Sequence, residues 1–213
     1  NTSGTLDLLI NNAGYAPHDG AIEAAHMDEY RRSFDVNLWG AMNVVQAMVP
    51  MLRKAKGRII NTGSPSTYMT IPMFSAYPAS KAALKVVTSH LRAELAPFGV
   101  EVTLLEPGGV DTPMVTLGSD AEEQHWALLP EPLREQYREH FVSSASTFGD
   151  AFTFMPPDGF ADLVFKRVIC AKRWKPVYLL GPRSAAALPL MHRVLPPSAV
   201  EGVWRRMFRR KGK

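Results

Sequence analysis

The 213 residues carry a formal net charge of +4, with 46% hydrophobic and 21% charged residues, the balance expected of one large globular domain. Arg205, Arg206, Arg209, Arg210, Lys211 and Lys213 hold more than that excess, so the remainder is slightly acidic, and residues 1–200 lack the basic stripe of a nucleic-acid surface. No stretch approaches the roughly 18 uninterrupted apolar residues of a spanning helix, and Asn1-Thr2-Ser3-Gly4 has no basic flank and apolar run of a secretion signal.

A cytoplasmic protein is the expectation. The chain goes directly into "LDLLINNAG", an apolar run ending in Asn-Asn-Ala-Gly, the pattern of a fully buried parallel strand followed by a turn. Without an initiator methionine, it reads as a piece of something longer. Residues 28–54 repeat apolar side chains at helical spacing (Phe34, Leu38, Met42, Val45, Met48, Leu52), with Asp28 as the expected N-cap. "GRIINTGS" gives a second buried strand that breaks at Gly63-Ser64-Pro65, and residues 77–96 give a second long helix with Pro78 in its first turn. "GVEVTLLEPGG" is a third strand and "KPVYLLGP" a fourth. Between them, residues 112–155 are expected to be long and irregular, and residues 157–173 helical. Cys170, in the second of these stretches, is expected to be a small buried apolar residue. The final segment reads as helix.

Strands alternating with helices predict an α/β fold with a doubly wound, Rossmann-like parallel sheet covered on both faces. The whole of residues 1–213 is expected to form one domain. Ligands in such sheets bind beyond the carboxyl ends of the strands. Here those ends carry Asn12, Ala13 and Gly14, then Gly63 and Ser64, then Pro107 to Thr112, where small and polar residues stand in place of core ones.

On the helix that begins near Tyr77, positions 77 and 81 share a face, so an ammonium lies beside a phenol. A phenol titrates near 10, and a neighbouring positive charge lowers that value, so Tyr77 is expected to exchange a proton near neutrality. Ser64 ends the adjacent strand, where its hydroxyl can reach the same substrate oxygen. Asn37 sits inside the first long helix, where a buried amide needs partners.

Asn12-Ala13-Gly14, Asn37, Ser64, Tyr77-x-x-x-Lys81 and Pro107-Gly108 with Thr112 resemble, in order and spacing, the short-chain dehydrogenase/reductase family. The resemblance is close over residues 6 to about 113 and loose beyond. It implies that Tyr77 is the catalytic acid/base and that Ser64 orients and polarises a carbonyl. Lys81 would lower the phenol's pKa and hold the nicotinamide ribose, and Asn37 would hold a water leading from Lys81 to solvent. Asn12, Ala13 and Gly14 would pass beside the adenosine of an NAD(P) cofactor, while Pro107, Gly108, Val110 and Thr112 would place its nicotinamide. The family's glycine-rich fingerprint occurs nowhere in the chain. The expectation is therefore that the amino-terminal third of the fold is absent, leaving the first strand as an apolar edge and the choice between NAD and NADP open.

Residues 112–155 resemble the family's variable substrate-binding loop. Met114, Leu117, Trp126, Leu128, Leu129, Phe141 and Phe148 suggest a lid over a bulky apolar substrate, with Met114 and Trp126 as substrate contacts. Packing of the lid against its own domain is the competing reading. His125, His140 and His192 are scattered without ligand spacing, so no metal site is expected. Within the tail, residues 196–213, Val200, Val203, Trp204, Met207 and Phe208 recur at helical spacing between arginines, an amphipathic basic helix. It suits the substrate pocket, a sister subunit or, peripherally, an anionic membrane surface. The two long helices resemble those through which family members form homodimers and homotetramers. An NAD(P)-dependent oxidoreductase acting on an alcohol or carbonyl is the leading function, and intact Asn37, Ser64, Tyr77 and Lys81 favour it. The alternative, favoured by the absent glycine fingerprint, is a non-catalytic fragment or scaffold subunit acting by binding alone.

Overall fold

The computed structural model describes residues 4–17, 19–116, 126–140 and 153–209. Four strands, β1 (Leu8–Asn11), β2 (Arg58–Thr62), β3 (Glu101–Pro107) and β4 (Val177–Leu180), pair in parallel in the order β1-β2-β3-β4. Leu9 is in register with Ile59, Ile60 with Thr103, and Leu105 with Tyr178. Parallel neighbours require crossovers, and helices supply them. Helices α1 (Met27–Phe34) and α2 (Ala41–Ala55) lead to β2, and α3 (Ala76–Leu95) leads to β3. Between β3 and β4 lie α4 (Pro113–Thr116), α5 (Glu131–His140) and α6 (Pro157–Val164). Finally, α7 (Arg183–Val194) and α8 (Pro197–Phe208) follow the sheet.

Successive strand residues face opposite sides of a sheet, and both sides here are covered. Ile59 packs with Val45 and Leu52 of α2, Leu95 of α3 and Val102 of β3. Its neighbour Ile60 joins Leu105, Val168 and Tyr178 in a separate cluster, against which Phe160 and Val164 of α6 pack. Burial on both faces is why β2 and β3 read as continuous apolar runs rather than alternating ones. Among the described residues β1 pairs only with β2, and Ile10 on it is 45% exposed.

Several boundaries depart from expectation. The helix read over residues 28–54 is two helices joined by a π-helical segment, Asp35–Gly40, which carries Asn37. Asp28 is not the N-cap. His26 occupies that position without a side-chain hydrogen bond, and Asp28 lies in the first turn, paired with Arg31 at 2.7 Å. A carboxylate there complements the helix dipole, so Asp28 serves inside the first turn instead of as its cap. The helix read over residues 157–173 is α6 followed by a π-helical segment, Phe165–Ile169, and Cys170 just beyond it is exposed rather than buried. Helix α2 ends with Lys56 in the left-handed conformation (φ 50°), followed by Gly57, where a Cβ would lie 2.4 Å from the Leu6 carbonyl oxygen. Only glycine lets the chain pass that close to β1.

Candidate active site

The carboxyl ends of β1, β2 and β3 and the start of α3 converge on the residues singled out from sequence. Hydrogen bonds link these strand ends directly. The Asn11 amide donates to Asn61 Oδ1 at 2.8 Å, and Asn61 donates to Thr88 Oγ1 of α3 at 3.0 Å. Beyond them, Asn12 Oδ1 accepts from the Thr62 hydroxyl at 3.2 Å, leaving Asn12 and Ala13 exposed at the rim.

Ser64 is buried and caps a 3-10 turn, Pro65–Tyr68. Its Oγ accepts the Ser66 amide at 3.1 Å and is hydrogen-bonded to the Tyr77 phenol. With the Ser66 amide on one lone pair, the hydroxyl proton is what Ser64 offers the phenol oxygen or a substrate oxygen in its place. Tyr77 stands in the first turn of α3 and packs against Phe74, ring centroids 5.6 Å apart. Lys81, only 2% exposed, donates to the Thr62 carbonyl at 2.8 Å, and its ammonium lies 5.8 Å from the Tyr77 ring centroid. Burial pushes the lysine down to about 8.

The phenol departs from the sequence reading. Burial raises its pKa, and the hydrogen bond from Ser64 is the opposing influence. Lys81 donates to the Thr62 carbonyl and is not among the groups that shift the phenol. Tyr77 therefore holds its proton at neutral pH.

The π-helical segment turns Asn37 inward, and such segments cluster at functional sites. Its Oδ1 accepts the Tyr15 amide at 2.8 Å, and its Nδ2 donates to the Tyr15 carbonyl and to Ser80 Oγ, each at 2.8 Å. Ser80 in turn donates to the Tyr77 carbonyl at 2.7 Å. Asn37 thus ties the loop after β1 to the helix that carries Tyr77. Ser80 is the link. Gly14 lies at the centre of this group, since a Cβ on it would sit 3.7 Å from Asn37 Oδ1, Lys81 Nζ and Met114 Cε alike.

After β3, the Gly108 amide donates to the Leu180 carbonyl at 2.6 Å, and Gly181 (φ 142°) packs so closely that a Cβ on it would come 2.8 Å from Gly108 Cα. Val110 forms a parallel bridge with Met155, flanked by hydrogen bonds from Met155 to Gly109 and from Asp111 to Met155. Pro107, Gly108, Val110 and Thr112 thereby run as one braced loop to Met114, which is 45% exposed. Trp126 is different. It is 4% exposed and packed with Ala21, Met73 and Leu129, so it anchors the segment to the domain instead of presenting a surface to a ligand. Leu117, His125, Phe141 and Phe148 lie outside the described residues.

Sequence reasoning passed over Asp19. Fully buried, it accepts the Ser75 and Ala76 amides at 2.9 and 2.8 Å and the Ser75 hydroxyl at 2.9 Å, while Tyr30 hydrogen-bonds the same hydroxyl. A carboxylate more than fifty residues away thus caps the helix of Tyr77. The tail helix α8 buries Val200, Trp204 and Phe208 with Leu188 and Ile71, against Tyr68, Met69 and Phe74. It lies on the connection between Ser64 and Tyr77.

Residues 1–123 match the family described as short chain dehydrogenase. The chain is 34% identical to the NADPH-dependent 1-acyldihydroxyacetone phosphate reductase of Schizosaccharomyces pombe, over 86% of this chain and 60% of that protein. It is also 34% identical to the 11-beta-hydroxysteroid dehydrogenase type 2 of Oryctolagus cuniculus, over 66% of this chain and 36% of that one. It therefore spans only about a third to three-fifths of these relatives' length. A solved short chain dehydrogenase from Burkholderia cenocepacia, in complex with NADP, shares the fold with a TM-score of 0.69 at 23% identity, over 97% of this chain and 72% of that one. Family match, parallel sheet and strand-end residues agree: this chain belongs to the short-chain dehydrogenase family.

Proposed function

We propose that the protein is an NAD(P)-dependent oxidoreductase that interconverts an alcohol and a carbonyl, with Tyr77 as the proton-transfer residue. The observation that carries this reading is the joint placement of Ser64, Tyr77 and Lys81, with a Ser64–Tyr77 hydrogen bond and the Lys81 ammonium 5.8 Å from the centroid of the ring. A scaffold has no use for a buried lysine without a carboxylate beside a tyrosine. The nicotinamide cofactor, when bound, supplies or accepts the hydride. Gly14, where a Cβ would sit 3.7 Å from Lys81 Nζ, leaves room beside that ammonium, which suits the cofactor's ribose.

In reduction, Ser64 donates a hydrogen bond to the carbonyl oxygen and Tyr77 delivers the proton to it as negative charge develops. Because burial keeps the phenol protonated, proton donation is its resting competence near neutral pH. Oxidation needs the phenolate and gains speed as pH rises. Lys81 holds positive charge near the phenol and offers donors to a ribose hydroxyl. A bulky apolar substrate is supported by exposed Met114 at the mouth and by relatives named for steroid and acyl-lipid substrates. Exposed Trp39, Val44 and Val86 near and on α2 and α3 support pairing of two copies through those helices.

The test is turnover by the native-length protein with NADPH and NADH against steroid, acyl-ketone and sugar carbonyls. Tyr77→Phe is expected to lower kcat by roughly a hundredfold or more. Full activity in that variant removes the mechanism, and preference for small sugars removes the apolar substrate.

A further inference from the structure

Two lysines stand one turn apart on α3, and their surroundings separate them. Lys81 meets the Thr62 carbonyl and, among the described residues, no carboxylate. Lys85 pairs with Glu106 Oε1 at 3.0 Å, donates to the Tyr68 phenol oxygen at 2.6 Å and lies 3.9 Å from the centroid of that ring. Tyr68 donates in turn to Glu106 Oε2 at 3.1 Å, so both oxygens of the carboxylate are engaged. Glu106 is fully buried. An ionised carboxylate in that position is tolerable only with a paired cation and satisfied oxygens.

Each member belongs to a different wall of the site. Tyr68 closes the turn that Ser64 caps, Lys85 lies two turns beyond Tyr77, and Glu106 immediately precedes Pro107. A fourth element touches the group, since His192 Nε2 of α7 shares a hydrogen bond with the Tyr68 carbonyl at 2.7 Å and sets its ring edge-on to Tyr68. The titratable groups around Glu106 are thus Tyr68, Lys85 and, through Tyr68, His192, with Lys81 one turn before Lys85 on the same helix.

We propose that Tyr68, Lys85 and Glu106 form a charge-neutral positioning clamp, resting on the reading of Tyr77 as the proton-transfer residue. The clamp holds the Ser64 turn, the Tyr77 helix and the Pro107 loop in register. It also consumes the only fully buried glutamate at these strand ends among the described residues, so that Lys81 stays free of a carboxylate and keeps its ammonium for the phenol and the cofactor. Without Lys85, the next cation back along α3 is Lys81, one turn earlier.

The test reads the titration midpoint of the Lys81 amine by NMR of lysine side chains in the native-length protein, assigned with Lys81→Met. That midpoint is about 8 in the intact fold. Lys85→Met leaves Glu106 uncompensated and is expected to raise it, whereas Glu106→Gln leaves Lys85 uncompensated and is expected to lower it. Each shift is about half a pH unit or more for charges one helical turn away. The two substitutions together bring the midpoint back to within about 0.3 unit of the wild type. A merely structural role moves both single variants the same way or not at all, and either result overturns the clamp. If Glu106→Gln does not fold, Lys85→Met and Lys85→Arg carry the test, a rise in the first and none in the second being required. Activity that survives Tyr77→Phe defeats the functional reading instead, and the Lys81 titration is read independently of it.

Discussion

Lys81 shows what a buried ammonium costs the fold. Burial holds its pKa at about 8 instead of 10.5, so between those values the unfolded chain binds a proton that the folded chain has released. Stability contributed by this group therefore rises as pH climbs from about 8 to 10.5, and its full penalty is present at neutral pH. The penalty is on the order of 3 kcal/mol by linkage, less what the bond to Thr62 returns. Lys81→Met is accordingly expected to stabilise the protein by about 1 to 3 kcal/mol at pH 7 while depressing turnover. Urea unfolding at pH 7 and again near pH 10 checks it, because the gain must shrink at the higher pH; a variant no more stable at pH 7 contradicts a charged, buried lysine. Residue identities at this scale were legible in the sequence. Ser64, Tyr77 and Lys81 announce themselves by type and spacing, because spacing along one helix is local. Their electrostatics were not, because where the Lys81 ammonium settles relative to the Tyr77 phenol depends on where β2 and its Thr62 carbonyl end in space.

At the scale of elements, α3 matters most, since it carries Tyr77, Lys81 and Lys85 and is fastened at its start by a distant residue. Backbone amides in a first helical turn have no partners within the helix, and Asp19 supplies acceptors for those of Ser75 and Ala76. Asp19→Ala is expected to destabilise the protein by about 2 kcal/mol, and Asp19→Asn, which keeps an acceptor but not the charge, by roughly half that. Thermal or urea unfolding distinguishes the two, and equal stability of wild type and Asp19→Ala would show that the cap is dispensable. The sequence could not reveal this cap because its partners lie 56 and 57 residues apart. For the same reason the Tyr68–Lys85–Glu106 group looked like three ordinary residues, and Glu106 like part of a plain strand. The strands themselves were legible, as burial on both faces writes an unbroken apolar run. Helix ends were less so, since the helical period of residues 28–54 continues through Asp35–Gly40 although the backbone there changes pitch.

For the whole molecule, the clusters on the two faces of the sheet are joined by a third under α7 and α8, and this one touches the site from outside the sheet. An apolar stripe in sequence says that something will be covered without saying what. Trp126 was read as facing a substrate and instead faces Met73, whereas the tail's stripe was read with several partners open and packs on Ile71 and Phe74. Since Phe74 also packs beside Tyr77, the tail bears on Tyr77 through two apolar contacts. Trp204, 3% exposed at the centre of that cluster, is where the link is most easily cut. Replacing it with Ala leaves a cavity that neighbouring side chains fill only in part, a loss of about 3 kcal/mol if the tail stays docked and less if α8 detaches instead. Detachment would free residues 68–74 while leaving the sheet intact, because no strand residue belongs to the cluster. Amide hydrogen exchange on Trp204→Ala is thus expected to quicken across residues 68–74 with the protection of β2 and β3 unchanged, alongside a higher KM for substrate. Exchange that quickens equally in the strands would mean that the tail is part of the global core rather than a local brace on the site.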